Sequence, residues 1–309
     1  MVKKIGNVIL NYQCYPGQDL YSDGAVEDEL LQIVKGHRKN EWNAIIAEKK
    51  NWPILYHLSH LRENIVEWLP ISDTDHVLEI GSGCGAITGC LAEKAKKVTC
   101  IELSEKRSMI NAYRNQDRGN IEILLGNFED IEQELQEKFD YITFIGVLEY
   151  GEKYITGHKP YETFLKAARK HLAPDGKLII AIENKFGMKY WAGCTEDHTG
   201  RYFEGIEDYT NTSGVKTFSR HELEELLYSV GFTDCKFYYP YPDYKLPTII
   251  YSDEYLPKEG ELDNNMRNFD NGRVLLFNEA KAFDAVVREG AFPLFSNSYL
   301  VIAKVRDNR

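Results

Sequence analysis

The stretch Val77-Leu78-Glu79-Ile80-Gly81-Ser82-Gly83-Cys84-Gly85 decides the fold. A short apolar run starting at His76 ends in three glycines separated by single residues. Glycines at the end of a strand let the backbone turn tightly and approach a ligand without Cβ clashes. Outward from this turn the pattern alternates. A helix is expected from the turn to residue 96, a strand over 98–102, a helix over 105–116, a strand over 121–125, a strand over 139–145, a helix over 160–172 and a strand over 177–183. Strands alternating with helices of this length predict a doubly wound α/β sheet with right-handed crossovers.

Glu102 ends the second strand, 21 residues after Gly81. A carboxylate there can accept hydrogen bonds from ribose hydroxyls. Gly81-x-Gly83-x-x-Ala86 also satisfies the looser dinucleotide pattern, so the turn alone admits both NAD and S-adenosylmethionine. Two details separate them. Glu79 lies inside the first strand, where a buried carboxylate is costly unless paired. A ligand with an ammonium and a sulfonium gives it a reason to exist, whereas a pyrophosphate would be repelled. Asn127-Phe128 follows the third strand. Asn127 suits the amino edge of adenine and Phe128 its ring; the alternative is that Asn127 caps the next helix and Phe128 is core.

Here the sequence resembles the class I S-adenosylmethionine-dependent methyltransferases, over residues 75–183 and the closing strand near 298–305. Glu79-x-Gly81-x-Gly83-x-Gly85 is similar to their glycine motif, Glu102 to their ribose-binding acid and Asn127-Phe128 to their adenine position, where Asp is commoner than Asn. Phe139-Asp140-Tyr141-Ile142 with Gly146-Val147-Leu148-Glu149-Tyr150 resembles their fourth strand and the loop after it. Leu172-x-Pro174-x-Gly176-Lys177-Leu178 resembles the turn into their fifth. The resemblance implies a Rossmann-like seven-stranded sheet with an antiparallel last strand, with 233–239 and 298–305 as the closing pair. It implies S-adenosyl-L-methionine as cofactor, held by Glu79, Gly81, Ser82, Gly83, Gly85, Glu102, Leu103, Asn127, Phe128 and Gly146.

Residues 1–72 are read as an N-terminal helical roof. Ile54, Leu58, Leu61, Ile65 and Trp68 share one helical face, which predicts a single helix ended by Pro70. Arg62 in it could fork a methionine carboxylate or sit on a wet face beside Glu63 and Glu67. Residues 73–309 form the methyltransferase domain, with acceptor-cap insertions at 184–217 and 240–297. Ser219 and Glu222 spell a capping box for a helix over 220–230.

Methyl transfer from a sulfonium needs alignment more than a dedicated nucleophile, and a base helps a hydroxyl acceptor. Two segments at the carboxyl ends of the strands are expected to hold the acceptor. One runs from Glu183-Asn184-Lys185-Phe186-Gly187 through Glu196-Asp197-His198-Thr199-Gly200-Arg201-Tyr202. It offers His198 and Asp197 as catalytic residues, or else a solvated surface loop. The other is Phe237-Tyr238-Tyr239-Pro240-Tyr241-Pro242-Asp243-Tyr244-Lys245-Leu246-Pro247, an aromatic wall or a packed sheet edge. Glu149, Tyr150, Asn184, Arg201, Tyr202, Tyr241 and Tyr244 are the expected acceptor contacts. Glu149, Glu183 and Asn184 are a poor match to metal-ligand spacing, and no metal is expected. The motifs N-K-F-G-x-K-Y, E-D-H-x-G and F-Y-Y-P-Y-P-D-Y-K resemble a subgroup associated with bacterial glycosyltransferases of surface-polysaccharide pathways.

Lys plus Arg number 37 and Asp plus Glu 48, a formal charge of −11. Phosphate neutralisation needs clustered cations, so this balance disfavours nucleic acid, including the RNA- and DNA-methylating branches of the fold. Six scattered Cys with no C-x-x-C, no secretory leader and no bilayer-length apolar run imply a cytoplasmic protein without a transmembrane segment. The expected activity is methyl transfer to a small-molecule or glycan acceptor, at oxygen. The alternatives are a peptide or protein nitrogen acceptor, an NAD-dependent oxidoreductase on the same glycine turn, and a binding module without turnover. A homodimer is left open.

Overall fold

The computed structural model describes residues 1–265 and 273–305. Its strands are β1 (Val2–Ile5), β2 (Val8–Asn11), β3 (His76–Ile80), β4 (Lys97–Glu102), β5 (Ile121–Leu125), β6 (Phe139–Ile145), β7 (Leu172–Glu183), β8 (Asp234–Tyr241), β9 (Ile249–Ser252) and β10 (Ser298–Lys304). The strand order is β1-β2-β5-β4-β3-β6-β7-β10-β8-β9. β3 pairs in parallel with β4 and β6, and β4 with β5, while β10 pairs antiparallel with β8.

The mixed α/β class is as expected, but among the described residues the sheet has ten strands and not seven. The added strands are β1 and β2 at one edge and β9 at the other. The β1–β2 hairpin turns at Gly6, whose φ is +57° and where a Cβ would lie 2.2 Å from the Gln116 carbonyl oxygen. Gly6-Asn7 between two alternating runs is a hairpin signal. Val8 and Leu10 of β2 are fully buried, and the strand adds in parallel to β5.

The chain forms two compact units, one of residues 1–144 with 167–178, the other of 145–166 with residues from 179 onward. In the first, the single helix expected before β3 is broken. Helix Trp52–Leu58 stops at Ser59, which is extended (φ −63°, ψ 131°) and whose hydroxyl accepts from the Leu61 N–H. A 3-10 turn, His60–Glu63, and a short helix, Asn64–Glu67, follow. The apolar spacing survives the break because Ile54, Leu58 and Ile65 are all buried. Trp68 is 42% exposed and does not complete the face. Arg62 is buried and lies 4.2 Å over the Tyr56 ring, so its wet-face reading is overturned.

The glycine turn is fastened by a buried relay. The Thr88 hydroxyl donates to the Glu79 carboxylate (2.6 Å), the Asn111 amide to Thr88 (3.0 Å), and the Asn115 amide to Asn111 (2.8 Å). The Cys100 thiol reaches the same Glu79 oxygen at 3.5 Å. Glu79 therefore has partners within the protein, and its burial needs no cationic ligand to explain it.

In the second unit, Ser219 and Glu222 close the expected capping box on helix Arg220–Ser229. Tyr239, Tyr251, Tyr299, Phe283 and Phe292 form an edge-on aromatic cluster beside β8 and β10. Among the described residues, no helix is long and apolar enough to cross a membrane.

Burial pushes the Glu79 carboxyl up to about 7 against the pull of its Thr88 and Cys100 bonds. A raised carboxyl contributes stability below its unfolded value of 4.5 and loses it as pH rises through 7. Glu79→Gln does not titrate. The stability of the native chain relative to this variant should therefore fall by about 3 kcal/mol between pH 4.5 and pH 8. Urea unfolding of both proteins at the two pH values checks this; a constant difference would mean that Glu79 is ionised throughout.

Candidate active site

The glycine turn leaves β3 with three left-handed residues, Gly81 (φ +68°), Gly83 (+53°) and Gly85 (+74°). The three differ in what surrounds them. At Gly85 a Cβ would meet the Asn111 amide at 2.3 Å, so packing explains that glycine. At Gly83, among the described residues, only an Arg107 nitrogen, at 3.8 Å, lies within reach of a Cβ. Packing does not require Gly83, and the open space over it is what a close-lying ligand needs.

Glu102 ends β4 with its carboxylate held by the Gly83 N–H (2.7 Å) and the Ser104 N–H (3.0 Å). Each oxygen keeps acceptor capacity beyond those bonds. Ser82 is buried within the turn and Leu103 is partly exposed behind it. Arg107, which borders Gly83, is paired with Glu27 (2.9 Å) and Asp23. Asn127 holds the N-cap of helix Phe128–Glu134, but its side chain makes no capping bond, and Phe128 is buried. An open glycine backbone beside a fixed acceptor pair fits a ribose-bearing cofactor.

The second unit holds a buried charged cluster. Gly146 follows β6 with φ +69°, and a Cβ there would lie 2.8 Å from the Tyr244 hydroxyl and 3.6 Å from a Glu149 oxygen. Glu149 stands on the 3-10 turn Leu148–Tyr150 and is 1% exposed; Glu183 ends β7 and is fully buried. Between them comes His198, whose Nε2 lies 3.6 Å from Glu149 and 3.9 Å from Glu183. The Nδ1–H donates to Glu196 at 2.8 Å, and Tyr150 stands edge-on to the ring at 5.4 Å. Glu196 is fixed in turn by the N–H groups of His198 (2.9 Å) and Thr199 (2.8 Å) and by the Tyr209 hydroxyl (3.2 Å).

His198 is thus no solvated loop residue. Burial favours its neutral ring, but Glu183, Glu149 and Glu196 outweigh burial and raise it well above its usual range. Burial pushes Glu149 up in spite of its bond to His198. Asp197 faces elsewhere: it pairs with Lys189 (2.8 Å) and Lys245 (3.0 Å) and accepts from Tyr190. Although burial works against ionisation, the two lysines hold its carboxyl well below the usual range. The acid hydrogen-bonded to the histidine is Glu196, two residues before it, and not Asp197. Lys245 also pairs with Glu183, and Lys189 with Asp243 at 2.7 Å.

Sequence reading did not single out Glu196, Lys189 and Lys245 for this cluster. The E-D-H run pointed to the first, but nothing local points to lysines that meet these acids only in the fold. Four expected acceptor contacts lie outside the cluster. The Asn184 amide donates to the carbonyls of Leu294 and Ser296 (both 2.8 Å) and accepts from the Phe186 N–H, which makes it a structural clamp. Tyr241 is buried edge-on to Phe283 with its hydroxyl on Asn265, as in the packed-edge reading. Arg201 is largely exposed beside Glu204, and Tyr202 is 43% exposed. Tyr150 and Tyr244 border the cluster.

A family model described as a methyltransferase domain matches residues 55–236. Ribosomal RNA small subunit methyltransferase A of Geobacillus sp. (strain WCH70) is 32% identical over 164 residues, 52% of this chain and 55% of that protein. The protein of the same name from Alkaliphilus metalliredigens (strain QYMF) is 27% identical over 156 residues, 49% of this chain and 52% of that one. The chain thus spans about half the length of these curated relatives. A solved chain in the complex between the Haloferax volcanii Trm112 methyltransferase activator and the putative methyltransferase is 15% identical with a TM-score of 0.48, covering 88% of this chain and 99% of that one. Since the family model takes in more than half of the 309 residues, the chain belongs to the methyltransferase domain family and is an enzyme that uses S-adenosylmethionine.

Proposed function

We propose that this enzyme methylates a hydroxyl of a small-molecule or glycan acceptor in the cytoplasm. The observation that carries the reading is the buried cluster of Glu149, Glu183 and Glu196 around His198, a proton-handling group with no structural need for three acids around one imidazole. The cofactor, when bound, supplies a methyl group made electrophilic by its sulfonium. Gly81, Ser82, Gly83 and Gly85 would cradle it, with Glu102 and Leu103 at the ribose and Asn127 and Phe128 at the adenine. With the cofactor bound, Glu149 would take the proton that the acceptor hydroxyl gives up as it receives the methyl group. His198 stays protonated by its acids, holds Glu149 in place and offsets its charge. Tyr150 and Tyr244 would border the acceptor. The six cysteines, none of them in a disulfide among the described residues, suit a reducing compartment, and the motifs around residues 184–202 and 237–245 suit a place in surface-polysaccharide synthesis.

A second reading, transfer to ribosomal RNA, is favoured by the names of the curated relatives. The formal charge of −11 and the acid-rich cluster weigh against it.

Two experiments test the proposal. Gly83→Asn tolerates the left-handed backbone, so the variant should fold yet bind S-adenosylhomocysteine at least about tenfold more weakly by calorimetry. Retained affinity, or saturable binding of NAD in its place, would displace the cofactor site. With methyl-labelled cofactor offered to oligosaccharides, amine-bearing peptides and a small-subunit rRNA transcript, label should enter the oligosaccharides. Glu149→Gln should lower that rate about 100-fold or more while S-adenosylhomocysteine affinity changes less than about twofold. Label in peptide or RNA instead would refute the oxygen-acceptor reading.

A further inference from the structure

We propose that Glu149, Glu183 and His198 form a binding site for one divalent transition-metal ion. One ligand atom from each lies within 4.8 Å of the other two. Glu149 and Glu183 are 1% and 0% exposed, and each has an Oε2 buried without a hydrogen-bond partner among the described residues. An orphaned carboxylate oxygen in the interior costs several kcal/mol unless something answers it.

Charge points the same way. In the connected network Glu149, Glu183, Glu196, Asp197 and Asp243 face two ammonium groups, Lys189 and Lys245, and one imidazole. Five acids against three bases leave a formal charge of minus two even with the ring protonated. The lysines answer Asp197, Asp243 and one Glu183 oxygen, so the deficit falls on Glu149 and the second oxygen of Glu183.

The histidine is oriented as a ligand would be. Glu196 takes the Nδ1 hydrogen, so once the ring gives up its other proton the Nε2 lone pair faces the two glutamates. A carboxylate behind an imidazole fixes the tautomer and raises the basicity of the ligating nitrogen. One imidazole and two carboxylates suit Mn²⁺, Fe²⁺ or Zn²⁺ better than Mg²⁺ or Ca²⁺, which prefer all-oxygen sets. Three protein donors leave coordination positions for water or an acceptor oxygen. Glu149, Glu183 and Asn184 match metal-ligand spacing poorly, and no metal was expected from sequence; Asn184 clamps Leu294 and Ser296, and His198 supplies the third donor from a loop 15 residues beyond Glu183.

The test is calorimetric titration of the full chain, stripped with EDTA, with MnCl₂, ZnCl₂ and MgCl₂, and it requires no methyl transfer. One Mn²⁺ or Zn²⁺ should bind per chain, more tightly than Mg²⁺. Glu183→Gln and His198→Ala should each weaken binding at least about tenfold while S-adenosylhomocysteine affinity stays within about twofold, which verifies folding. Should either variant fail to fold, Co²⁺ on the native chain replaces it, with a ligand-field absorption and a histidine-nitrogen coupling expected. Absence of binding up to about 1 mM metal, or binding unaffected in both variants, overturns the proposal. Metal binding without any oligosaccharide methylation would refute the acceptor reading and leave this site standing.

Discussion

Everything at the glycine turn depends on a carboxylate placed where a parallel strand should be apolar. Glu79 is 2% exposed inside β3, and its cost is met by Thr88 and Cys100. Through Asn111 and Asn115 the same relay reaches helix Glu105–Arg114, so the turn, the second strand and that helix hold one geometry. Gly85 is a glycine because Asn111 must come close; Gly83 is left with open space. A packing constraint at one glycine thus presents its neighbour to a ligand.

The second unit uses buried acids differently. Around Glu79 every strong acceptor finds a neutral donor, and the carboxyl rises toward neutrality. Around His198 the acids stay close to an imidazole and two lysines, and the histidine rises along with Glu149. The first arrangement fixes a shape. The second stores negative charge that the protein does not fully answer, which suits proton transfer and a bound cation alike.

The glycine turn, Glu102, the central strands and the Ser219 capping box were all readable in sequence because each depends on residues within a turn or a strand of one another. The Gly6-Asn7 turn is a hairpin signal that the sequence reading passed over, because each flanking strand is only four residues long and β1 carries two lysines. Ser59 broke a periodic helix because its hydroxyl caps the Leu61 N–H, a preference that apolar spacing does not report. The His198 cluster was only half readable. Glu149, Glu183 and the E-D-H run stand out individually, yet nothing local says that Glu196 backs the ring while Lys189 and Lys245 take Asp197. Asn184 and Tyr241 looked like acceptor contacts by residue type, and the fold uses them for a backbone clamp and an aromatic edge.

The central claim is that the glycine turn and Glu102 hold S-adenosylmethionine. A crystal structure of the chain with S-adenosylhomocysteine tests it most directly. The ribose hydroxyls should lie within hydrogen-bond distance of the Glu102 carboxylate, with the cofactor passing over the open backbone of Gly83. A ribose bound away from Glu102, with the space over Gly83 empty, would contradict it.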